Sequence, residues 1–277
     1  MSSRLRAYAE QNQSIAEAGA YGTADGTRVS VAAPLAAALA GTRLFGPDEP
    51  LTPPGAGGSA GGTAFEVTGE GSLGAARRLV ETGGGPVAVL NFASARNAGG
   101  GYLGGARAQE EDLCRQSLLH PCLLRAPEYY AAHRAGDDLL YSDRVIWSPD
   151  VPVHRDERGD LLAEPFPVSF LTCPAPNAGQ LLRREPDAGP RIREALARRA
   201  GRVLGVAAQQ GARRLVLGAW GCGVFRNDPR EVAAAFATWL APGGAFAGVF
   251  DRVVFGVWDR AQPSANRAAF AEVFAGW

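Results

Sequence analysis

The chain contains no lysine; all 28 of its basic residues are arginine, and with alanine and glycine abundant this reads as codon bias without a functional signal. Neither sign of charge is in excess, because those 28 arginines balance 28 acidic residues. A net charge of zero excludes a global field that draws the protein onto duplex nucleic acid or an anionic membrane. Cysteine is sparse, and Cys114, Cys122, Cys173 and Cys222 form no CxxC pair. That excludes a dense disulfide framework and argues against a zinc site. Only His120, His133 and His154 are available, too few for a histidine-rich metal cluster. No metal and no cofactor are therefore expected. The opening MSSRLRAYAEQNQ lacks the apolar core of a signal peptide, and no apolar run approaches membrane-spanning length. The expectation is a soluble, cytoplasmic, monomeric protein.

What is present reads as globular: 46% hydrophobic and 20% charged residues over 277 positions, enough for one large core or one domain with an appended segment. Residues 2–20 read as a helix. Residues 46–63 (GPDEPLTPPGAGGSAGG and its flank) read as a loop or linker. Residues 1–63 are thus expected to form an N-terminal extension with linker, and 64–277 the main domain. There the chain alternates. FEVTG (65–69) reads as a strand, and Ser72 is placed to cap the helix SLGAARRLVE. PVAVLNF (86–92) is the continuous apolar run of a buried central strand.

A helix begins near Ala108, and RVIWSP (144–149) and PVSFLTC (167–173) read as strands. Apolar spacing at Ile192, Leu196, Val203 and Val206 predicts a helix over 191–210. RRLVLGAW (213–220) is a further buried strand. Asp228 as N-cap, Pro229 at the first helical position and Glu231 three residues after the cap open a helix to 240. A last strand (248–258) and helix (264–274) follow. Strands separated by helices predict a three-layer α/β domain, with a mixed central sheet and ligand loops at the carboxyl ends of strands.

The segment after Phe92 carries the chemistry. Gly99, Gly101 and Gly104 satisfy GxGxxG, but six residues separate the first of them from the strand. The acidic residues follow within ten, at a helix start, rather than at a second strand end, so the dinucleotide reading is rejected. Gly99, Gly100 and Gly101 instead allow backbone N–H groups to approach phosphate or sugar oxygens. The helix N-terminus near Ala108 favours the same anionic groups. Glu110 and Glu111 lie about 100° apart around that helix, so one is expected in the cleft and the other beside it. Gln109 is a candidate to orient them. The bland alternative, a solvated acidic first turn, is outweighed by the glycine loop just upstream.

Strand 213–220 runs into Gly221-Cys222-Gly223-Val224-Phe225, a second strand–glycine loop–helix unit able to cradle a diphosphate. Phe225 offers a ring to a ribose or base. Cys222 reads as a small residue in a tight turn, not a nucleophile. Asn97 is balanced between a ribose contact and a turn former. Asn177 reads as loop closure, Arg183, Arg184, Arg198 and Arg199 as solvated surface, Trp147 and Trp258 as core, and the three histidines as packing or surface residues.

The stretch NFASARNAGGGYLGGARAQEEDLCRQS resembles the signature of poly(ADP-ribose) glycohydrolases: a triple glycine, a short spacer, then QEE. YSDRVIWSPDVPVHRD, TCPAPNAG and GAWGCGVFRNDP make the resemblance narrower, to the bacterial-type branch, a macrodomain with an N-terminal extension. It covers most of 65–277 and leaves 21–60 unmatched. The resemblance implies Glu111 as the catalytic acid/base and Glu110 as its ribose-contacting partner. It implies Gly99, Gly100 and Gly101 against the terminal ribose and diphosphate, and Gly221, Gly223, Val224 and Phe225 as the diphosphate loop. The implied reaction is metal-free hydrolysis of the ribose–ribose bond, for which a raised Glu111 pKa is expected. The implied partners are poly(ADP-ribose), ADP-ribose and ADP-ribosylated proteins, in a DNA-damage response. A non-catalytic ADP-ribose reader and a mono-ADP-ribosyl hydrolase are the alternatives on the same fold.

Overall fold

The apolar run VAVLNF becomes the central strand around which everything else is placed. The structure, a computed structural model, describes residues 2–52 and 62–275. Of the Gly/Pro-rich stretch 46–63 expected as linker, residues 53–61 lie outside them. In chain order the elements are α1 (Ser3–Ala18), β1 (Ala20–Gly22), β2 (Arg28–Ser30), α2 (Ala32–Gly41), β3 (Arg43–Phe45), β4 (Ala64–Thr68), α3 (Ser72–Glu81), β5 (Val87–Phe92), a 3-10 turn (Tyr102–Gly104) and α4 (Gln109–Gln116). Then come α5 (Leu119–Leu123), α6 (Pro127–Arg134), β6 (Val145–Arg155), β7 (Leu161–Cys173), α7 (Ala178–Arg184), α8 (Gly189–Gln209), β8 (Arg214–Leu217), α9 (Pro229–Leu240), β9 (Arg252–Gly256) and α10 (Ala265–Phe274).

Seven strands form one sheet in the order β3-β6-β7-β5-β8-β9-β4. The pairs β7–β5, β5–β8, β8–β9 and β9–β4 are parallel, and only β6 runs against its neighbours. Side chains of β5 alternate between two cores, as a strand buried on both faces must. Ala88 and Leu90 join the core covered by α8, α9 and α10, and Val87 and Val89 join the core beneath α1 to α6. The expected three-layer α/β architecture is what forms.

Several boundaries differ from the sequence reading for physical reasons. β6 and β7 run longer than 144–149 and 167–173, since a register shift between Ser148 and Val151 absorbs the prolines as a bulge, with Asp150 at φ 44°. The segment before residue 64, which matched nothing, supplies the edge strand β3 paired with β6, so it is built into the main sheet. The N-cap of α3 is Gly71 rather than Ser72; the Ser72 hydroxyl is instead engaged by Gln109. The α9 start forms as read, with Asp228 accepting from Arg230 N at 2.8 Å and Pro229 opening the helix. Arg199, expected on the solvated surface, is fully buried. It pairs with Asp143 at 3.0 Å and donates to the Pro174 and Leu140 carbonyls, tying the loop before β6 and the loop after β7 to α8. Trp258 was read as core; it lies beyond the end of β9 and is 62% exposed.

Candidate active site

Two loops leave the carboxyl ends of β5 and β8, which are adjacent and parallel in the sheet. Neighbouring strands stand about 4.8 Å apart, so both loops open on one crevice. The first, residues 93–101, is closed by its own hydrogen bonds. Gly100 N donates to Asn97 O at 3.0 Å, and Asn97 N donates to Ser94 Oγ at 3.2 Å. Gly99 and Gly100 sit at φ 70° and 59°, the left-handed region that a side chain disfavours. Asn97 is exposed on the loop's rim.

The helix α4 is locked to the end of β5 by Gln109. Its Oε1 accepts from Phe92 N at 2.8 Å, while its Nε2 donates to Leu90 O at 2.7 Å and to Ser72 Oγ at 3.0 Å. This amide extends the ladder past the last sheet bond, so the helix start cannot slide along the strand. Glu110, 2% exposed, accepts from Ser94 N at 2.6 Å and from Asn91 Nδ2 at 3.3 Å. Glu111, 8% exposed, accepts from Gly101 N at 2.8 Å through Oε1. Its Oε2 is buried without a hydrogen-bond partner among the described residues.

Adjacent helix positions were expected to send the two carboxylates apart. They converge: a Cβ on Gly100 would stand 2.5 Å from Glu111 Oε1 and 3.0 Å from Glu110 Oε2. The first helical turn leaves both long side chains free to fold back over the loop. The Glu110 carboxyl is raised. Burial drives it up to about 8, and the neighbouring Glu111 charge adds to the rise, against the pull of the hydrogen bonds from Ser94 and Asn91.

The second loop, residues 218–227, is held from behind. Gly221 sits at φ 71°, and a Cβ there would meet Ala175 Cβ at 2.4 Å. Asn227 Nδ2 donates to Pro176 O at 2.8 Å and Gly221 O at 3.1 Å, and Gly179 N donates to Phe225 O at 2.8 Å. Among the described residues, the N–H groups of Gly223, Val224 and Phe225 meet no protein acceptor. Three successive open backbone donors at a strand end suit a pyrophosphate. Val224 is 82% exposed beside them. Phe225 faces Tyr141 with ring centroids 6.0 Å apart, and Tyr141 is itself held at φ 61°, an outlier for a bulky residue.

A family model described as the catalytic domain of microbial-type PARG, poly(ADP-ribose) glycohydrolase, matches residues 9–156. This chain is a microbial-type poly(ADP-ribose) glycohydrolase by family. The poly(ADP-ribose) glycohydrolase of Thermomonospora curvata is similar at 48% identity over 98% of this chain and 99% of that one, with a TM-score of 0.93. The structure of that protein bound to the inhibitor ADP-HPD superimposes with a TM-score of 0.90, again at 48% identity, over 98% and 99% of the two chains. The Deinococcus radiodurans glycohydrolase in complex with ADP-ribose is 45% identical over 86% of this chain and 96% of that one, with a TM-score of 0.78. No curated protein matches.

For this glycohydrolase the structure brings Glu110, Glu111, Gln109, Gly99, Gly100 and Gly101 into one cluster, and Gly221 to Phe225 onto the adjoining strand end. Cys222 fills the turn: its thiol lies 3.9 Å from Trp220 O, and burial pushes it up to about 12. Asn177 caps α7 by accepting from Gln180 N. Sequence reasoning missed Asn91, Ser94 and Thr172, which brace Glu110, because Asn91 is hidden in an apolar run. Its Nδ2 also donates to Thr172 Oγ1 on β7 at 3.1 Å. One polar residue in a buried strand was the available signal. Among the described residues no group of three or more His, Cys, Asp or Glu is disposed to hold a metal.

Proposed function

We propose that this chain hydrolyses the ribose–ribose glycosidic bonds of poly(ADP-ribose), releasing ADP-ribose, with Glu111 as the acid and then the base. The observation that carries the reading is Glu111 itself. One carboxylate oxygen is pinned by Gly101 N, and the other is buried with no protein partner among the described residues. A buried carboxylate oxygen without a partner is costly to fold around and is retained where a ligand or reacting group completes it. The three open N–H groups of Gly223, Val224 and Phe225 hold the diphosphate, Phe225 packs on the nucleotide, and Asn97 and the Gly99–Gly101 loop flank the terminal ribose.

The bond passes through an oxocarbenium-like state. Glu111 gives its proton through Oε2 to the departing 2′-oxygen, and the resulting carboxylate then takes a proton from the water that attacks the anomeric carbon. Glu110, whose carboxyl burial holds above the usual carboxylate range, steadies the loop through Ser94. Backbone grip on the diphosphate supplies orientation. Family membership supports the polymer as substrate; ADP-ribosylated proteins as its carriers and a cytoplasmic role in the response to DNA damage are part of the proposal.

Glu111→Gln tests this directly. General acid–base catalysis is worth about 100- to 10,000-fold, so polymer turnover should fall by that factor. ADP-ribose binding, measured by calorimetry, should stay within about threefold, since the phosphate donors lie on the other loop. Wild-type turnover in the variant would remove Glu111 from the chemistry. Binding without any turnover by the wild-type chain would make the protein an ADP-ribose reader.

A further inference from the structure

The helix that carries both glutamates is only eight residues long, and its far end is held by a residue outside both glycine loops. The last carbonyls of a helix have no partners within it and must find them elsewhere. At the end of α4, Leu118 N is taken by Pro152 O and Leu119 N by Ser117 Oγ, so neither serves the Cys114 and Arg115 carbonyls. Asn12, on α1 and 4% exposed, does. Its Nδ2 donates to Cys114 O at 3.1 Å and to Arg115 O at 2.8 Å.

The other end of that amide is equally engaged. Asn12 Oδ1 accepts from Arg155 Nη2 at 3.0 Å and pairs with His154 Nε2 at 2.9 Å, both on the antiparallel strand β6. His154 is fully buried, and burial lowers its pKa to about 3; since the bonds from Asn12 Nδ2 and Arg155 leave Oδ1 as an acceptor, Nε2 is the ring nitrogen that donates to it. Arg155 is fixed in turn by Gln11 Oε1 at 2.8 Å, by Gly159 O at 2.7 Å and by the Tyr8 ring 4.7 Å away. The start of α1 rests on the other side of the same unit, where a Cβ on Gly105 would meet Ser2 O at 2.6 Å. One helix therefore braces both ends of the glycine loop–α4 unit.

We propose that Asn12 is a positioning residue of the reaction: it fixes the axial position of α4, and through it the place of Glu111 over the Gly101 N–H. The inference rests on the function proposed above. It gives the N-terminal helix a part in catalysis through the helix that carries the acid. Gln109 pins the front of α4 to β5, and Asn12 pins the back to α1 and β6. A short helix held at one end only can rock, and the 2.8 Å bond from Gly101 to Glu111 is the first to lengthen.

Asn12→Asp separates this role from simple anchoring. It keeps the acceptors toward Arg155 and His154, strengthens the former by charge, and removes both donors to α4. With the full chain, kcat on polymer should fall about tenfold while the ADP-ribose Kd stays within about threefold, and the melting temperature should fall, since the Cys114 and Arg115 carbonyls lose their donors. Asn12→Ser, with one donor left, should give a kcat between those of wild type and Asn12→Ala. Amide exchange across residues 109–116 should quicken in the order wild type, Ser, Ala. Wild-type kcat in Asn12→Asp overturns the proposal. So does an ADP-ribose Kd that rises in proportion to the loss of kcat, or a Ser variant no better than Ala. If Asn12→Asp does not fold, the Ser and Ala series decides. Exchange rates are read without turnover, so an inactive wild-type chain would sink the proposed function while leaving this test standing.

Discussion

The two glycine loops are alike in sequence and opposite in construction. The loop after β5 spends its donors on the protein: Gly100 N on Asn97 O, Gly101 N on Glu111. The loop after β8 is braced from behind by Asn227 and Gly179 and leaves the N–H groups of Gly223, Val224 and Phe225 open. Glycine thus answers two needs. In the first loop it lets backbone and carboxylate approach without a Cβ between them, which sets the place of an acid. In the second it lets the backbone face outward toward a ligand. A glycine run after a strand signals close approach, and only the surrounding hydrogen bonds say whether the approaching group belongs to the protein or to the substrate.

The sharpest way to break that contrast is Gly100→Ala. The new methyl would fall 2.5 Å from Glu111 Oε1 on a backbone at φ 59°, so both loop and carboxylate must move. The left-handed conformation alone costs about 1–2 kcal/mol. Displacing a catalytic group by about 1 Å costs on the order of 100-fold in rate. Polymer turnover should drop by at least that much, with a lower melting temperature and a smaller change in ADP-ribose affinity. Gly136→Ala, outside both loops, is the control, since its Cβ would meet nothing within 4 Å. Equal kinetic losses in the two variants would mean that the first loop has no special hold on the acid.

A smaller effect is expected from Val224→Pro, which deletes one open donor of the second loop. A hydrogen bond to a charged group is worth about 1.5–3 kcal/mol, roughly 10- to 100-fold in the ADP-ribose Kd by titration calorimetry. Stability should hardly change, because that N–H serves no protein acceptor and the side chain is 82% exposed. Val224→Ala should bind nearly as wild type, which assigns the loss to the backbone. A proline variant that binds normally would move the diphosphate elsewhere.

How much of this was legible beforehand follows the range of the forces involved. Periodicity and caps predicted β5, α8 and α9, because apolar spacing and the Asp228-Pro229 start act within a few residues. The spacing of three glycines and QEE marked the site for the same reason. What escaped depended on contacts distant in sequence. Ser72 looked like a cap, but Gln109, 37 residues away, takes its hydroxyl. Arg199 read as surface because nothing local announces the Asp143 that buries it, and Asn12 gains its role from carbonyls more than 100 residues on. The segment 21–60 carried too little pattern to predict a three-residue edge strand, whose existence depends on β6 being there to pair with it. Trp258 shows the reverse error: an apolar residue after a buried strand was assumed to continue inward, and the strand ends before it.

The least effect is expected at Cys222, and its absence would sharpen the comparison as much as any loss. A thiol between two glycines in a ligand loop invites a nucleophilic reading. Burial pushes it up to about 12, so its thiolate is scarce at neutral pH, and the thiolate is the reactive form. Its contact is a weak one, Sγ to Trp220 O at 3.9 Å, and its backbone N–H closes the turn onto Ala219 O at 3.1 Å, a bond that any residue but proline can make. Cys222→Ala should therefore leave polymer turnover within about twofold, and thiol alkylation of the wild-type chain should modify Cys222 slowly at pH 7. A tenfold loss in the alanine variant would show that the second loop contributes more than open backbone donors, and the division of labour between the loops would have to be redrawn around a side chain.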